Sequence, residues 1–143
     1  LAADINVDGI TLGGRTKDVT QIGRGQSSLD DWVEALAAVQ DRRVVSEVPK
    51  ERSRSDAFGF ARIGIPVASL ASGTEAIGPA GRGGRADASR APADAGDLAG
   101  AVEDAQLLFY LGVKVGSATP RPTWRRSDEF KAGRKARAET GIR

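Results

Sequence analysis

The chain has no histidine, no cysteine and no methionine in its 143 residues. Without histidine there is no neutral imidazole to bind a metal and no side chain that ordinarily titrates near neutrality. That excludes Ser-His catalytic arrangements and removes most zinc-binding patterns. Without cysteine there is neither a disulfide framework nor thiolate chemistry, and the redox compartment is left open. Aromatic residues make up only 5% of the chain. No apolar run approaches the roughly 18 residues of a membrane span, and no signal-peptide layout is visible. Any catalysis must therefore use Asp, Glu, Lys, Arg, Ser, Thr or the single tyrosine, Tyr110.

What is present suffices for one ordinary domain, since 40% of the residues are apolar and the length matches a single core. The formal charge is +2, unevenly placed: residues 121–143 carry eight Lys and Arg against Asp128, Glu129 and Glu139, a local +5. The basicity belongs to the tail, so a nucleic-acid footprint over the whole protein is not indicated. The chain opens on Leu1 directly before a strand-like segment and reads as a piece of something longer.

Strand and helix signals alternate. Ala3–Asp8 and Val19–Ile22 are short strands, bounded by glycine-rich turns at 13–14 and 23–25. Ser28 begins a helix in which Asp31 completes an S-x-x-D box and Leu29, Trp32, Val33 and Leu36 form one stripe. Arg43–Val48 reads as an edge strand ended by Pro49, Asp56–Ile63 as a short helix and Pro66–Ala71 as a buried strand. Residues 73–96 are a loop rich in Gly, Ala, Arg, Pro and Asp. Asp97 caps a long helix whose apolar face is expected along Leu98, Ala101, Val102, Ala105, Leu108 and Phe109. Pro120 and Pro122 then interrupt regular structure.

Taken singly, the polar motifs have plain readings. Asp8 followed by Gly9 is a turn, and Ser55-Asp56 before a helix is an N-cap pair. The loops "GGRTKD" (13–18) and "GRGGR" (81–85) evoke phosphate binding but match neither G-x-x-x-x-G-K-[ST] nor G-x-G-x-x-G in a strand–helix setting.

Taken in order, "NVDG" (6–9), "GRGQSSLDDWV" (23–33), "RSDAFGFARIGIPVASLASG" (54–73), "DLAGAVEDAQLLFYLGVKV" (97–115) and "PTWRRSDEF" (122–130) resemble the C-terminal half of the M28 family of zinc aminopeptidases. The resemblance implies a partial three-layer α/β domain of zinc-exopeptidase type. Its mixed, twisted sheet is flanked by helices, with a two-zinc site at the carboxyl ends of the strands. It divides the chain into a peptidase-like part, 1–116, and a basic, proline-containing extension, 117–143.

Carried over position by position, the resemblance makes Asp8 a zinc ligand. It puts Ala57 where the family's "SDH" segment has histidine, with Ser55 and Asp56 in the site wall. Within "SRAPAD" it puts Arg90, a cation, at another histidine position. The family's His-x-Asp ligands and Glu-Glu pair fall before Leu1. A water-activating zinc needs about three protein ligands and a carboxylate base nearby, so the expectation is a fragment or degenerate member, inactive as this isolated chain. The alternatives are a non-catalytic interaction module and a basic-tailed protein that binds anionic polymers. Expected partners are a peptide substrate and either a missing N-terminal half or a second copy. Family members are often exported or vacuolar, which leaves the location open.

Overall fold

A computed structural model describes residues 1–7, 10, 12–47, 55–77, 97–125, 135 and 139. The elements follow in the order β1 (Asp4–Val7), β2 (Asp18–Ile22), α1 (Leu29–Val39), β3 (Arg43–Glu47), α2 (Asp56–Arg62), β4 (Val67–Ser72) and α3 (Ala99–Ser117). They build a four-stranded sheet in the order β1-β4-β2-β3. β1 pairs parallel with β4 and β2 parallel with β3, while β2 and β4 run antiparallel at the centre. Each expected strand and helix is present, and β3 is an edge strand as its composition indicated.

The pleat divides the side chains between two helical layers. On one face Val19, Ala68 and Leu70 form the core with Leu29, Val33 and Ala37 of α1 and with Leu107 and Leu111 of α3. On the other face Asn6 and Ser69, paired in register, meet Ser55 at the start of α2. The result is an α/β/α arrangement with a mixed sheet.

Two details differ from the sequence reading. The box that starts α1 is one residue earlier than Ser28 and Asp31. Ser27 Oγ accepts from Leu29 N at 3.2 Å, and Asp30 accepts from Ser27 N at 3.1 Å. Ser28 is already helical and its side chain does not cap α1; its Oγ instead accepts from Thr123 N. Asp31 points outward to Arg125.

The second difference is larger. α3 buries Gly100, Asp104, Leu107 and Leu111, whereas Leu98, Val102, Ala105 and Phe109, four of the six residues of the expected apolar face, are exposed. Close approach selects the small residue: a Cβ on Gly100 would lie 2.0 Å from the carbonyl oxygen of Gly14. Charge pairing selects Asp104, whose carboxylate meets Arg42 at 2.7 Å and accepts from Ser72 Oγ at 2.5 Å. Asp97 does cap the helix, accepting from Ala99 N at 2.9 Å.

The chain after α3 returns to α1. Ser28 N donates to Thr123 O and Arg125 N to Gln26 O, and Pro122 and Trp124 are buried.

Candidate functional site

Ser55 and Asp56, expected in a site wall, lie at the start of α2 beside the end of β1. Asn6 Nδ2 donates to Ser55 Oγ and to Ser69 Oγ, each at 3.4 Å. One amide thus ties β1, α2 and β4 together, and it brings the "NVDG" and "RSDA" segments side by side. Ser55 has extended backbone, and its hydroxyl accepts from Ala57 N at 3.3 Å, so it serves as an N-cap. Asp56 is exposed in the first turn of α2, where a carboxylate is favoured by the helix dipole. Ala57 is only 6% exposed. Its methyl offers no donor atom and is packed inward.

Asp8 follows β1 directly, but it and Arg90 lie outside the described residues. The family's metal requirement can still be tested against the rest. Among the described residues no three of His, Cys, Asp or Glu come together in a group that could hold a metal ion. The buried acids are committed elsewhere. Asp18 accepts from Thr74 N and Glu75 N at 3.1 and 2.8 Å, and Asp104 binds Arg42 and Ser72. Asp30 accepts from Gly25 N, Ser27 N and, at 2.6 Å, from Gln21 Nε2. Burial raises the Asp30 carboxyl above its ordinary range, opposed by the Ser27 and Gly25 amides, the Gln21 amide and Arg125. The described residues do not fit a zinc centre.

The most elaborate polar site is one that sequence reasoning missed. Arg42, with its side chain 1% exposed, donates to Thr16 Oγ1 at 3.0 Å and to Asp18 O at 2.7 Å, and pairs with Asp104. Gln40 Nε2 donates to Glu103 O at 2.8 Å beside it. This network joins the α1–β3 corner, β2, β4 and α3, and its chemistry is that of a buried structural ion pair. No local signal marks it: Arg42 and Asp104 are far apart in the sequence and sit in unrelated patterns.

The glycine-arginine loop at 13–18 is likewise structural. Gly14 has φ +85°, its N donates to Asp97 O, and Gly100 packs against its carbonyl.

Comparison with known proteins gives one family: the model for peptidase family M28 matches residues 1–96. The match includes the Asn6–Ser55–Ser69 contact and stops before α3. No curated protein and no solved structure matches the chain.

Proposed function

Because the chain belongs to peptidase family M28, we propose that it derives from a zinc aminopeptidase domain and that, as this chain alone, it neither assembles a two-zinc centre nor hydrolyses peptides. The observation that carries the reading is the commitment of the acids. Asp18, Asp30 and Asp104 are each bonded within the fold, and Ala57 presents a buried methyl where the family resemblance assigns a histidine. When bound, zinc would supply an activated water for attack on a peptide carbonyl. A lone carboxylate such as Asp8 is a weak ligand for it. Under this reading Asp8 and Arg90 are remnants of ligand positions, Ser55 and Asp56 are remnants of a site wall, and residues 117–143 are an extension to the peptidase-like part.

The chain's own residues in this wall have positioning roles. Asn6 holds β1 to α2 and β4, and Ser55 fixes the start of α2. A second reading, a non-catalytic interaction module on a peptidase fold, is favoured by the exposed apolar side of α3.

Calorimetric titration with zinc, run beside an aminoacyl-nitroanilide assay, tests the proposal. The expected result is no stoichiometric binding and no release. Release of an amino-terminal residue that is zinc-dependent and abolished by a chelator, after controls for contaminating peptidase, overturns it. Ala57→His combined with Arg90→His is expected to remain inactive, because neither change supplies a base.

A further inference from the structure

The side of α3 turned away from the sheet carries Leu98, Val102, Phe109 and Val113, each more than half exposed, with Tyr110 beside them. These positions recur at helical spacing along the element. Phe109 is 65% exposed and meets Tyr110 edge to face at 5.4 Å. All three charged residues of α3 lie elsewhere on the helix. Glu103 pairs with Arg15, Asp104 is buried against Arg42, and Lys114 lies over the Trp32 ring. The outer side is thus uncharged from Leu98 to Gly116, about 27 Å of helix, with exposed Gln106 the polar residue among its apolar ones.

We propose that this surface is a homodimer interface, in which α3 of one copy packs antiparallel on α3 of a second. Two observations favour a second copy as the occupant. An uncharged surface can face itself without bringing like charges together, which a two-fold contact between identical patches requires. The pattern is also self-complementary in size. The midpoint between Leu98 and Val113 falls between Ala105 and Gln106, so a two-fold axis there sets the small Ala105 against the longer Gln106 of the second copy. The same axis sets Phe109 against the partner's Val102, and Leu98 against the partner's Val113. The exposed apolar area is roughly 500 Å² per copy, or about 1,000 Å² in total, at the lower limit of a specific interface. That size makes the dimer weak and concentration-dependent. The inference does not depend on whether the chain ever takes part in catalysis.

Sedimentation equilibrium on the full chain between about 1 and 500 µM, a range suited to an interface of this size, is expected to show the mass rising from one chain toward two. Phe109→Glu places a charge on the contact and is expected to hold the chain monomeric with unchanged circular dichroism. Val39→Glu on α1, at a site 84% exposed, is expected to leave the association as it was. The absence of native cysteine permits a second test that needs no disruptive change. Ala105→Cys with a short bismaleimide is expected to cross-link at least tenfold faster than Val39→Cys. A monomer at every concentration, or equal cross-linking at the two positions, overturns the proposal and assigns this surface to a different protein or to further parts of a longer chain.

Discussion

Replacing Asp104 with alanine is expected to be the most damaging single change among the polar residues described. Arg42 and Asp104 have side chains 1% and 7% exposed, so the change strands a guanidinium in the interior. Arg42 keeps its bonds to Thr16 Oγ1 and Asp18 O, but these are neutral acceptors, and Ser72 Oγ loses the carboxylate it donates to. Breaking a buried pair from one side costs about 3–5 kcal/mol, so the expected loss is about 4 kcal/mol. That is a large part of the 5–15 kcal/mol typical of a whole domain.

Urea denaturation followed by circular dichroism measures the loss. Asp104→Asn keeps an acceptor and a shape close to the original, and is expected to lose about half as much. Arg42→Met combined with Asp104→Leu removes both charges and is expected to recover most of the stability, because desolvation and attraction then vanish together. The reasoning is refuted if Asp104→Ala costs under about 1 kcal/mol, or if the paired replacement is no better than the single one.

Gly100→Ala is expected to cost at least about 1–3 kcal/mol by overpacking, since its Cβ would meet Gly14 O at 2.0 Å. Gly116→Ala, with nothing within 4 Å, is expected to gain about 0.5–1 kcal/mol from helix propensity; thermal melts compare the two. Burial raises Asp30 in the folded state above its ordinary 3.8, so its contribution is full below that value and is lost as pH rises through the raised one. Urea midpoints are expected to shift in favour of Asp30→Asn as pH increases from about 3 to 7, and a flat or opposite trend counts against the assignment. Deletion from Ser127 onward is expected to move the melting midpoint little, whereas Trp124→Ala, which empties a buried site beside Ser27, is expected to cost about 3–5 kcal/mol.

The strands and helices were legible because their signals are local: alternation in "ADINVD", a serine cap before α2, a branched run at Pro66–Ala71. The orientation of α3 was not. Apolar spacing alone selects Leu98, Val102 and Phe109, but the buried side is set by Gly14 and Arg42, which the helix meets only after folding. The cap of α1 slipped by one residue for a similar reason. Ser27 and Ser28 are equivalent in sequence, and the 123–125 segment, which returns from the far end of the chain, takes Ser28 as its partner. Of the candidate site, the cap role of Ser55 was legible from its place before a helix, whereas the contact of Asn6 with Ser55 joins segments far apart in the sequence and had no local signal. The buried Arg42 network had no motif to announce it.

The strip from Leu12 to Thr16 holds both ends of the long connection between β4 and α3. Ile77 N donates to Arg15 O and Thr16 bridges Ala76 on one side, while Leu12 O accepts from Asp97 N and Gly14 N donates to Asp97 O on the other. The connection therefore begins and ends on neighbouring residues of one fixed strip. Both anchors, Ile77 and Asp97, are thus held by backbone bonds to that strip, and lengthening the sequence between two such anchors adds only about 0.6 kcal/mol of closure entropy per doubling. A reporter peptide or a small folded module inserted between them is expected to leave the register of the sheet as it is.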